Sequence, residues 1–153
     1  MTPQEIRGAI LADPALVAIK ADSGALAQHP TFAARTRVAP RMVTERGVAS
    51  ALGAVDGETF LAALETFAAA NLGQGHPLKT AQPAIARQLA WLKRDGIDVG
   101  DALTRALLDT LAAAGDIEAA HAAAVKALAE VPDPVSEIAI RRAIWNDDGS
   151  PAV

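Results

Sequence analysis

Asp101–Leu128 reads DALTRALLDTLAAAGDIEAAHAAAVKAL, two helical periods joined at a glycine. Asp101 is a helix-capping residue, and Leu103, Leu107, Leu108 and Leu111 follow at the three- and four-residue steps that line one face of a helix. Gly115 can adopt the left-handed conformation that closes a helix end. Asp116 then opens a second helix with Ile117, His121, Val125 and Leu128 on its face. Two amphipathic helices with so short a connection predict an αα-hairpin, and the rest of the chain repeats this grammar.

Alanine fills 37 of 153 positions, so nearly half of the 51% hydrophobic content is a side chain that buries little area. At about 25 cal/mol per Å² of apolar surface, thin alanine faces stapled by Leu, Ile and Phe gain less per helix than leucine-rich ones. This predicts modest stability in isolation, to which a partner would add.

N-terminally, Thr2, Pro3 and Glu5 spell a capping box with proline at the first helical position, predicting a helix over 3–12. Asp13 with Pro14 restarts a helix to about Ala21, and Asp22 with Ser23 starts another that ends before Pro30. Across His29–Val43, HPTFAARTRVAPRMV, the helical period vanishes. Two prolines and the β-branched Thr31, Thr36, Val38 and Val43 predict an extended basic arm over 30–43. Thr44 and Glu45 open a short helix ending at Gly53. Asp56 caps a longer helix over 58–71 with the stripe Phe60, Leu61, Leu64, Phe67 and Ala68. LGQGHP (72–77) is a turn-rich connection, and Pro83 starts a helix to Asp95 with Ile85, Leu89 and Leu92 as its stripe. Ser136 caps a last helix through Trp145. LETFAAAN (64–71) echoes LDTLAAAG (108–115), but the flanks do not match, so constraint on helix ends explains it better than duplication. The fold class expected is all-α: a single compact multi-helix domain over 1–146, its halves meeting through Leu61, Leu64, Phe67 and Leu103, Leu107, Leu111, with a flexible tail at 147–153.

Length suits one domain. Cysteine is absent, which removes disulfides and thiolate ligands. The start, MTPQEIRGAILADPAL, has no basic segment followed by a long apolar run, and no window reaches the eighteen or so apolar residues of a membrane span. The expectation is a soluble, unexported chain without membrane contact.

The net charge of −4 and pI near 5.3 disfavour nucleic acid as the main partner, yet the charges are uneven. Arg35, Arg37, Arg41 and Arg46 lie close together with only Glu45 against them. Asp95, Asp98, Asp101, Asp109, Asp116, Glu118 and Glu130 outnumber Arg105 and Lys126 further on. Sign-separated faces suit head-to-tail association; a solvated surface of mixed sign is the plainer alternative. The four arginines are candidate interaction residues because guanidinium groups hold carboxylates or phosphates in pairs. An ordinary solvated loop would look the same. Nucleic-acid stacking would need aromatics, and only Phe32 is near. Trp91, one of five aromatic residues, falls off its helix's apolar stripe and joins the candidate set, since tryptophan is enriched at interface hot spots. Trp145 reads as partly buried core.

His29, His76 and His121 have no second ligand at metal spacing, and His121 reads as a core histidine satisfied by a carbonyl. DGIDVGD (95–101) lacks the alternate-position ligands of a calcium loop, with Ala106 where a bidentate Glu is needed. Asp95 and Asp101 already have helix-end positions. No phosphate loop, nucleophile elbow or zinc helix appears, so neither an active site, a cofactor, a metal nor a small-molecule ligand is expected.

The stretches MTPQEIRGAILADPAL, RTRVAP, ERGVASALGAVDGETFLAALE, LLDTLAAAG, ALAEVPDPVS and AIWNDDGS resemble small helical structural proteins of tailed bacteriophages. The resemblance rests on layout over most of the chain. It implies a virion component of the head-to-tail or tail region, assembled in the bacterial cytoplasm, working as one copy in a ring or attached to a larger virion protein. It implies no catalytic residues. The alternative is a soluble bacterial helical adaptor or regulatory binding module.

Overall fold

A computed structural model describes residues 1–146 and 150–152. The elements in chain order are α1 (Pro3–Ala12), α2 (Pro14–Ala18), α3 (Ser23–Gln28), α4 (Pro30–Ala33), β1 (Thr36–Val38), β2 (Met42–Val43), α5 (Glu45–Leu52), α6 (Ala54–Ala69), α7 (Gln82–Arg94), β3 (Ile97–Asp98), α8 (Ala102–Ala114), α9 (Ala119–Ala127), β4 (Glu130–Pro132) and α10 (Glu137–Ile144). The protein is therefore mostly helical, but not all-α. β1 pairs with β4, and β2 pairs antiparallel with β3 in the register Met42↔Asp98 and Val43↔Ile97. The chain divides into two compact units, one of residues 1–37 and 132–153 and the other of residues 38–131.

In the first unit the predicted caps are present. Glu5 N–H donates to Thr2 Oγ1 (3.3 Å) and Thr2 N–H to Glu5 Oε2 (2.7 Å), completing the capping box. Asp13 and Asp22 accept from Ala15 N–H and Ala25 N–H; α2 stops at Ala18, short of the expected Ala21. Pro30, read from sequence as the start of the extended arm, opens α4 instead. Proline's fixed φ suits a first helical position, Thr31 N–H finds His29 Nδ1, and Phe32 is fully buried. Phe32 joins Ile6, Ile10, Leu16, Leu26, Val135, Ile140, Ala143 and Ile144 in one core, with Trp145 packed against it. Asp147, Asp148, Gly149 and Val153 of the expected tail lie outside the described residues. At its described positions the chain turns back: Asn146 N–H donates to Ser150 O (2.8 Å) and Ala152 N–H to Ile144 O (2.7 Å).

The second unit holds the other core, in which Val43, Val48, Phe60, Leu61, Leu64, Phe67, Ile85, Leu89, Leu92, Val99, Leu108, Leu111, Ile117 and Val125 are buried. Helix α6 begins at Ala54, four residues before the expected Glu58. Gly53, at φ 89°, turns the chain from α5 directly into it, so Asp56 lies in the first turn, where its charge suits the helix dipole, rather than capping. Gln82 Nε2 donates to Phe67 O and Ala70 O at the end of α6.

The stripe of α8 is turned by one residue from the sequence reading. Thr104, Leu108 and Leu111 are buried, Leu107 is partly buried, and Leu103 is 61% exposed. Asp101 caps α8 through Thr104 N–H and Thr104 Oγ1, so the threonine's polar atom is satisfied and its methyl can face inward. His121 is buried as expected, but its neighbours are the Phe60 ring, edge-on at 6.4 Å, and Glu118 Oε2 at 3.6 Å rather than a carbonyl.

Candidate functional site

The basic segment is ordered by its own chain. Ordering backbone costs about 1 to 2 kcal/mol per residue, which from sequence alone points to contacts from a neighbour; the structure supplies them internally. In the first unit Arg35 and Arg37 both approach Asp133, at 4.0 Å and 3.9 Å, and Asp133 N–H donates to Arg35 O (2.8 Å). In the second unit residues 39–43 lie along Gly96–Gly100. Asp98 Oδ1 accepts Arg41 N–H (2.7 Å) and Gly100 N–H (2.8 Å), and Val99 N–H donates to Arg41 O (2.9 Å). Asp98, one of the acids that follow Asp95, thus meets the arm on a backbone amide within the same chain.

Glycine makes this clamp possible. A Cβ on Gly100 would lie 2.2 Å from Ala39 O, and Gly96 holds φ 92° with its own Cβ position 3.0 Å from Val43 O. The DGIDVGD stretch, set aside as a calcium loop, is thus a seat for the arm, with Asp98 on backbone amides and Asp101 on the α8 cap. Among the described residues no cluster of three metal-ligating side chains occurs.

The N–H groups of Arg41 and then Gly100 hold the Asp98 carboxyl below its usual 3.8. Its ionised form is favoured by folding, so this contribution is fully present above about pH 4 and is lost as pH falls through the lowered folded value. Thermal unfolding followed from pH 6 to pH 2 should show the wild type losing stability below pH 4 by a component that Asp98→Asn lacks. Parallel curves for the two proteins would contradict this.

Of the five sequence candidates, Arg35 and Arg37 are engaged by Asp133. Arg41 and Arg46 are exposed, and among the described residues neither guanidinium takes part in an ion pair. Trp91 belongs to a different feature, an open groove of about 310 Å³ lined by Met42, Gln88, Trp91, Gly96, Ile97, Asp98, Asp101 and Thr104. Trp91 is 43% exposed and Met42 61% exposed. The groove therefore shows solvent two large apolar side chains beside two carboxylates. Its apolar lip is set on ordered backbone: Met42 by the β2–β3 ladder, Trp91 by α7, whose carbonyl at residue 91 receives both Asp95 N–H and Gly96 N–H at 2.8 Å. Behind it, sharing Gln88, Ile97 and Thr104, lies a crevice of about 30 Å³ lined also by Leu64, Ile85, Leu89, Leu92, Leu107 and Leu111; it is core packing space, too small for an organic ligand.

Met42 and Gln88 escaped the sequence reading. The signal for Met42 was the two-residue alternation in Met42–Val43, one side chain out and the next buried, which needs the strand to be known first. Among the described residues no helix is long and apolar enough to cross a membrane. No family model, curated protein or solved structure matches the chain.

Proposed function

We propose that this chain is a non-enzymatic structural or interaction protein that works by self-association or by docking on a larger protein. The resemblance of its layout to small helical phage proteins supports the reading of a virion component of the head-to-tail or tail region of a tailed bacteriophage. One observation carries the interaction reading: Trp91 and Met42 stand in water on the lip of an open groove. Removing an indole from water contributes at about 25 cal/mol per Å², and a tryptophan on a rigid helix loses little side-chain freedom when covered. Arg41, next to Met42, and Arg46 supply exposed positive charge on the same unit, suited to steering an acidic partner surface.

The test is a photo-crosslinking benzophenone amino acid in place of Trp91 in the cells that make the protein, with adducts identified by mass spectrometry. Adducts to this chain or to one defined structural protein are expected. Irradiated protein that carries no protein adduct would contradict the interaction reading. Flanking genes test the virion context separately: portal, capsid or tail genes support it, and an isolated operon with a regulator contradicts it.

A further inference from the structure

The chain builds its two units differently. The second, residues 38–131, is one continuous stretch, whereas the first takes residues 1–37 from one side of it and 132–153 from the other. The first core joins Ile6, Ile10 and Phe32 to Ile140 and Ile144, and Val135 N–H donates to Phe32 O (3.0 Å). Forming that core therefore closes a loop over residues 33–134. Loop closure costs entropy that grows with length.

A folded second unit removes most of that loop. Within it Ala39 N–H donates to Ala129 O (2.9 Å), so the two ends of the unit lie one hydrogen bond apart. Only residues 33–38 and 130–134 then remain to be closed. Because closure becomes rarer as the three-halves power of loop length, the shortening favours the first unit by about thirtyfold. The bonds that continue from there belong to the first unit itself: Asp133 N–H donates to Arg35 O (2.8 Å), and both Arg35 and Arg37 approach Asp133.

The help is reciprocal, as any coupling between two equilibria must be, so core size decides which unit opens first. Among the described residues the first core buries nine and the second seventeen. Apolar burial is the main favourable term in folding, and a unit of about sixty residues is marginal by itself. The smaller core gives way first.

We infer that the first unit is a reversible closure, which forms on a standing second unit and opens while the second stays folded. Opening bares the apolar faces of α1, α3 and α10 as one local unfolding event. The groove at Trp91 lies wholly within the second unit and outlasts it.

Each unit carries one tryptophan, Trp145 in the first and Trp91 in the second, so the two indole N–H signals report the units separately. Nuclear magnetic resonance of the full chain, dilute and in rising urea, should show the native Trp145 peak lost at a lower concentration than the native Trp91 peak. Ile10 is fully buried in the first core. Ile10→Ala should raise the ratio of open to closed first unit on the order of a hundredfold and leave the Trp91 midpoint in place. Leu111, 1% exposed in the second core, is the converse. Leu111→Ala should lower the Trp91 midpoint towards that of Trp145, and where the two meet both peaks go together. An Ile10→Ala chain already open without urea shows native Trp91 beside unfolded Trp145, the same result at its limit. Simultaneous loss of both peaks in the wild type and in Ile10→Ala overturns the inference, as does a Trp145 peak that outlasts Trp91 in any variant.

Discussion

Gly57→Ala should destabilise the protein by about 2 kcal/mol, although alanine is the better helix former. Gly57 lies inside α6, where replacing glycine gains about 1 kcal/mol of helix propensity. Its added Cβ, however, would lie 2.6 Å from Ala49 Cα and 3.2 Å from Ala49 Cβ. Those are backbone and near-backbone atoms of α5, which cannot swing aside, so the two helices must separate. Overpacking of that kind costs about 3 kcal/mol, and the clash wins. Gly8 is the control. It also lies inside a helix, α1, with nothing within 4 Å of its Cβ position, so Gly8→Ala should stabilise by about 1 kcal/mol. Urea unfolding of both variants checks the opposite signs; stabilisation by Gly57→Ala would mean that α5 and α6 do not pack as described.

Gly100→Ala should release the clamped arm. A Cβ at 2.2 Å from Ala39 O and 2.8 Å from Ala39 C displaces backbone on both sides, at about 3 kcal/mol or more. Because the seat at Gly96–Gly100 has its own hydrogen bonds, local opening should outrun global unfolding. Amide exchange at Arg41 and Val99 should accelerate by about a hundredfold, the factor that about 3 kcal/mol implies, with α8 amides less affected. Equal acceleration throughout the second unit would show that the clamp does not open as a separate element.

These two glycines also mark the limit of what the sequence discloses. Local chemistry was legible: Thr2, Asp13, Asp22, Asp101 and Ser136 cap the helices they were expected to cap, because a capping residue needs only its own next turn. The stripes Ile85–Leu89–Leu92 and Leu61–Leu64–Phe67 were legible for the same reason. What depends on distant segments was not. Leu103 and Thr104 exchange places because the phase of α8 is set by packing, which lets a threonine inside once Asp101 bonds its hydroxyl. Pro30 reads as a breaker until Phe32 has a core to enter. The arm appears unsupported because Gly100, Asp98 and Gly96, far along the chain, are what hold it. Of the groove lining, Trp91 could be found as an aromatic off its stripe. Met42 could not, since β2 exists only by pairing with β3.

The most direct test of the account is the nuclear magnetic resonance signal of the indole N–H groups. The chain has two tryptophans, Trp91 on the groove and Trp145 against the first unit's core, and Trp91→Phe assigns the two peaks. As protein concentration rises at low salt, the Trp91 peak should shift or broaden while the Trp145 peak stays fixed. A Trp91 peak that does not move across the range, or movement confined to Trp145, would contradict self-association through the groove at Trp91.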